Sequence, residues 1–189
     1  MNGARALTED ECLRIKAVLA PRDRCLFVLG IRTGFRISEL LSLNIRDVYD
    51  LQSFSVLNSV HLKKRNTKGK QAGRTVPMHP ESVTAILAWL ESHPNPLPDS
   101  PLFQSIGGNR LTKWDGWFIL KKALTRASIR GEQVSTHSMR KTFAERMNEQ
   151  FKGNIYKLKE AMGHASITST EKYIDVDSKE IWNAIKNSK

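Results

Sequence analysis

Only one stretch of this chain repeats with the period of a β-strand. Phe54, Val56, Val60 and Leu62 fall on even positions in a Ser- and Val-rich run, the alternation that turns one face of a strand inward. A Gly- and Lys-rich turn follows. Arg74, Thr75 and Val76 then read as the returning strand, stopped by Pro77. Residues 54–77 are therefore predicted to form one small hairpin or short sheet. Every other patterned segment has helical spacing. Thr8 to Glu11 reads T-E-D-E, a capping box, and Cys12, Ile15, Val18 and Leu19 give the helix after it an apolar face ending before Pro21. A second helix is predicted over 22–33 with Gly34 as a left-handed C-cap, then a short one carrying Ser38, Glu39, Leu40 and Leu43. Further helices are expected at 81–92, with Val83, Ile86, Leu87 and Leu90 inward, and at 113–128, 136–150, 154–162, 167–174 and 178–187. Thr112 with Asp115 repeats the capped start, and the four prolines between His93 and Pro101 mark a loop. The predicted class is mainly α with one small antiparallel β element.

Composition narrows what such a fold serves. The 189 residues carry 30 Lys and Arg against 19 Asp and Glu, a net charge of +11. The excess is clustered. Leu51 to Pro80 contains no acid, yet holds His61, Lys63, Lys64, Arg65, Lys68, Lys70 and Arg74. Lys121 to Arg146 is opposed only by Glu132 and Glu145. Clustered cations on a globular chain are the footprint of a polyanion partner, nucleic acid first. Cys12 and Cys25 are the only cysteines, which excludes a disulfide scaffold and a Cys-rich zinc site and fits a reducing compartment. No apolar run approaches the roughly 18 residues of a membrane span, and the opening residues do not read as a signal peptide. The expected setting is the cytoplasm.

Four clusters carry chemistry. Thr33-Gly34-Phe35-Arg36-Ile37-Ser38-Glu39-Leu40 puts Arg36 where a loop meets a helix start. The hairpin tip holds Thr67, Lys68, Lys70, Arg74, Val76 and Pro77. Thr136 to Phe143 places His137 and Arg140 three apart, on one helix face. Met162-Gly163-His164 precedes Tyr173 by nine residues counted from the histidine. Each alone also reads as an ordinary cap, turn or anchor.

In this order and spacing the clusters make the chain resemble the catalytic domain of the tyrosine recombinase (phage integrase) family, from about Thr8 to Ile181. The family's T-G-x-R-x-S-E-L box matches Thr33, Gly34, Arg36, Ser38, Glu39 and Leu40. Its hairpin box matches Thr67, Lys68, Arg74, Val76 and Pro77. Its H-x-L-R-[HK]-[ST] box matches His137, Arg140, Lys141 and Thr142, and its last box matches Gly163, His164 and Tyr173. Met139 and Met162 replace the usual leucines, conservative apolar changes.

The resemblance implies a site-specific recombinase that cleaves and rejoins DNA through a 3′-phosphotyrosyl intermediate, without metal, ATP or cofactor. Tyr173 is the implied nucleophile. Arg36 and Arg140 are the implied phosphate clamp, because guanidinium is a planar, permanently charged fork. His164 adds a hydrogen bond, His137 is a candidate acid or base, and Lys68 is the implied general acid. The T-K pattern favours Lys68 over Lys70, and both stay candidates. Lys63, Lys64, Arg65, Lys70, Arg74 and Lys141 are candidate DNA contacts. The implied partner is double-stranded DNA carrying specific recombination sites, with a homo-tetramer on DNA, a monomer off it, and no membrane. The whole chain, 1–189, is expected to be one catalytic domain, with 1–7 as a tail and 175–189 as a C-terminal tail helix. That helix packs on its own core or docks on a neighbouring protomer through Ile181, Trp182 and Ile185. The family's N-terminal DNA-clamping domain is expected to be absent, as in an excised domain or in short recombinases such as fimbrial phase-switch invertases. Two rivals stay open: a catalytically silent DNA-binding relative, and a type IB topoisomerase-like enzyme.

Overall fold

The structure, a computed structural model, describes residues 3–63, 73–93, 96–164, 166–171 and 186. Its elements are α1 (Glu9–Val18), α2 (Pro21–Thr33), α3 (Ile37–Leu40), a 3-10 turn (Ile45–Asp47), β1 (Tyr49–Asp50), β2 (Ser55–Val56), β3 (Ser59–Leu62), β4 (Arg74–Pro77), α4 (Pro80–Glu91), α5 (Lys113–Arg126), α6 (Thr136–Gln150), α7 (Ile155–Met162) and α8 (Thr168–Glu171). The described residues are thus mostly helical with two small antiparallel sheets.

The helix starts follow from local chemistry. Thr8 accepts from the Glu11 amide while Glu11 caps Thr8 in return, and Thr112 with Asp115 does the same for α5. Each reciprocal pair satisfies two amides that would otherwise be left without partners. α2 is the central helix. Cys25 through Ile31 and Thr33 are all buried, so it is covered on every side. It packs on α4 and α6. One large core joins α1, α2, α4, α5 and the inner faces of β3 and β4. A smaller one, Phe143, Ala144, Leu158 and Met162, holds α7 against α6.

Three details differ from the sequence reading. The strand expected over 54–62 is two strands. β1 and β2 make their own sheet with Tyr49 opposite Val56, and β3 pairs β4 with Val60 opposite Val76. Phe54 is 76% exposed at φ 52, because Asp50 ties the amide of Gln52 and the hydroxyl of Ser53 into a turn ahead of it. On α4 the buried stripe is Ser82, Ala85, Ile86 and Leu90, and Leu87 stands one position past it at 38% exposure. The helices expected at 167–174 and 178–187 are described over Thr168–Glu171 and at residue 186; their remaining residues lie outside the described ones.

Candidate functional site

The site is built where α2 ends. Gly34 closes the helix at φ 63, donating its amide to Gly30 O, and this left-handed turn aims its carbonyl away from the helix. Arg36 follows as the N-cap of α3. A cation is poorly placed there against the helix dipole. Glu39, buried in the first turn of α3, corrects this: its two oxygens accept the Arg36 amide and Arg36 Nη1, each at 2.7 Å. The Arg36 guanidinium is thereby oriented while about a quarter of the side chain still meets solvent.

Arg140, on α6, is the largest fully buried side chain among the described residues, with 1% exposure. Its Nη1 donates to Gly34 O, and its Nη2 donates to Met162 O at 2.9 Å and lies 2.8 Å from His164 Nε2. Guanidinium has only donors, so His164 Nε2 accepts and the ring proton sits on Nδ1, 2.9 Å from Thr170 Oγ1. His164 follows Gly163, which ends α7 at φ 61. Burial, then the charges of Arg140, Arg36 and Arg74, push the His164 imidazole down to about 4, so it is neutral near pH 7.

Arg74 joins the same cluster from β4. Its Nη1 donates to Ala161 O at 3.0 Å, its Nη2 donates to Thr33 O, and its guanidinium carbon lies 4.7 Å above the Phe35 ring. Burial and the nearby Arg140 lower its pKa to about 10. The structure thus brings Arg36, Arg74, Arg140 and His164 around Gly34 and Phe35, with Glu39 as the facing carboxylate.

The other sequence candidates are spread out. His137 lies in the exposed first turn of α6, its amide donating to Ser135 Oγ. Lys141 lines a polar cleft of about 570 Å³ with residues 3–8, on a different side of α6 from Arg140. Lys63 is largely exposed, 3.9 Å from Asp47. Lys64, Arg65, Lys68, Lys70 and Tyr173 lie outside the described residues. Sequence reasoning did not single out Glu39 and Thr170 as site residues. Glu39 carried a signal, since it sits three residues after the N-cap arginine, where a capping-box acid belongs.

Three fixed cations against one carboxylate leave the centre short of negative charge, and donors of this kind recognise phosphate oxygens. Among the described residues no group of His, Cys, Asp and Glu could hold a metal ion, and no helix is long and apolar enough to cross a membrane.

The fold is that of a recombinase catalytic domain. It superposes on the XerA recombinase crystal structure with a TM-score of 0.75 at 24% identity, covering 100% of this chain and 65% of that one. XerH site-specific recombinase, captured with its palindromic difH substrate after cleavage, matches at 0.75 and 23% identity over 96% of this chain and 52% of that one. Residues 5–180 match the model of the Phage integrase family, and the chain belongs to that family. The tyrosine recombinase XerD of Mycobacterium leprae (strain TN) is 33% identical over 94% of this chain and 60% of its own length. The chain therefore spans about three-fifths of that relative.

Proposed function

We propose that this chain is the strand-cutting domain of a site-specific DNA recombinase. The observation that carries the reading is the Arg140 guanidinium, which joins three of the four sequence clusters at one point: its own, Gly34 of the first, and Met162 and His164 of the last. The intact set of motif residues also supports the active reading.

In the proposed reaction the Tyr173 phenol gives its proton to His137 and its oxygen attacks a scissile phosphate. A P–O(tyrosine) bond forms while the P–O5′ bond breaks. Lys68 gives the leaving oxygen its proton. Arg36 and Arg140 meet the negative charge that grows on the non-bridging oxygens. The 3′ end stays on the enzyme as an ester, so a partner strand's 5′-hydroxyl can reverse the step without ATP. Lys63, Lys64, Arg65, Lys70 and Lys141 supply sequence-independent phosphate contacts. The protein is a monomer that assembles as a tetramer on two sites, the tail helix docking between protomers.

The test is a pool of nicked suicide duplexes with randomised centres. Wild-type protein is expected to select and retain a subset as a covalent adduct that survives denaturation, and Tyr173→Phe is expected to form none. An adduct of undiminished yield with that variant would overturn the assignment.

A further inference from the structure

Arg74 came out of the sequence as one basic residue among seven on a cationic hairpin. Its surroundings are not those of a surface contact. It is the first residue of β4, opposite Leu62, and so stands at the base of the segment that carries Lys68. From there its side chain runs inward. One Nη reaches Thr33 O at the end of α2, and the other reaches Ala161 O at the end of α7. The guanidinium covers Phe35, and its Cδ lies 2.7 Å from where a Cβ on Gly163 would stand. Gly163 is thus glycine for two reasons, its positive φ and the stem of Arg74 passing over it. Arg74 Nε is also buried, with no hydrogen-bond partner among the described residues.

We propose that Arg74 is a positioning residue: a guanidinium key that locks the base of the lysine-bearing hairpin to the loop that presents Arg36 and to the loop that presents His164. This rests on the recombinase reading, because it explains how a lysine on a hairpin comes into register with a phosphate clamp on helices. Two carbonyls from separate elements need two donors held in one plane. An ammonium is a single point charge and cannot span both while covering an aromatic face. The close charge has a second effect. Arg74 is one of the cations that hold His164 neutral, with Arg140 and Arg36, while Glu39 is the facing acid.

The experiment uses the whole chain as Arg74→Lys and Arg74→Gln, with two readouts. The first is the rate of covalent adduct formation on the duplex selected by wild-type protein, beside the affinity for that duplex. Positioning predicts a rate loss of about 100-fold, the scale set by a displacement of about 1 Å. Affinity is expected to change less than about 3-fold, with an unchanged salt slope. A phosphate contact predicts the reverse, a large loss of affinity and a slope reduced by about one. That result, or full activity in Arg74→Lys, would overturn the proposal. The second readout is backbone hydrogen exchange without DNA. In both variants the amides of Val60, Leu62, Val76, Gly163 and His164 are expected to lose protection together, while those of α1, α2 and α4 keep theirs. Unchanged protection at the hairpin and the His164 loop would overturn the proposal, and so would an equal loss throughout, which marks a generally destabilised fold. If wild-type protein yields no adduct, the recombinase reading fails, and the exchange pattern still decides whether Arg74 joins the three segments.

Discussion

His164 is held in the tautomer that cannot donate at Nε2. Arg140 occupies the Nε2 lone pair and Thr170 lies at Nδ1, so the ring needs a second proton before Nε2 can give a hydrogen bond to a phosphate. Burial and three arginines oppose that proton in the resting protein. A phosphate oxygen arriving on Arg36 and Arg140 cancels part of their charge and favours protonation. DNA binding is therefore expected to take up as much as one proton between about pH 4 and 6.5, seen as a binding heat that depends on the buffer's ionisation enthalpy. A heat identical in all buffers would refute this. The same shift sets a stability profile. The folded value of about 4 lies below the ordinary 6.5, so the unfolded chain binds more protons between them. Stability is full above pH 6.5 and is lost as pH falls toward 4. The loss is about 1–2 kcal/mol after allowance for solvent reaching the ring, and His164→Asn should remove it.

At the scale of elements, the contact that matters is α2 on α6. A Cβ at Gly34 would stand 2.8 Å from Phe143 Cγ and nearer still to Cδ1, at a φ of +63 that side chains rarely adopt. Gly34→Ala is expected to destabilise the fold by about 2–3 kcal/mol, through backbone strain and overpacking together. Gly153 isolates the strain, having φ +76 and nothing within 4 Å of its would-be Cβ. Gly153→Ala should cost only about 1 kcal/mol. Urea unfolding measures both, and equal losses would show that the Phe143 contact contributes nothing. These elements also show where sequence reading succeeds. The capping boxes at Thr8 and Thr112 and the turn at Gly34 were legible because each depends on residues within one helical turn. β1 and β2 were not, because a two-residue pairing has no period to detect. Phe54 was misassigned because a single Asp-capped turn breaks an apparently continuous alternation. In the site, Arg36, Arg140 and His164 were legible as motif members, and the structure gathers them. The placement of Arg74 was not, since its partners lie 41 and 87 residues away in the chain.

At the scale of the whole molecule, the question is which part of the +11 charge is available to a partner. Arg74 holds carbonyls inside, and Lys16, Arg32 and Arg146 are paired with Glu81 and Glu9. Binding to a single duplex must then rest largely on exposed lysines and arginines, and it should weaken steeply with salt as counterions are released. Assembly rests on different physics. The tail stripe of Ile181, Trp182 and Ile185 is apolar, and burying it on a neighbour is insensitive to screening. Truncation after Asp177 removes Lys179, Lys186 and Lys189 against Glu180, so single-duplex affinity should fall modestly and its salt slope by no more than about two. The four-protomer complex proposed for two offered sites should lose far more, as read by sedimentation. If single-site binding and the paired-site complex fell by equal factors, the tail would be packing on its own core instead of bridging protomers.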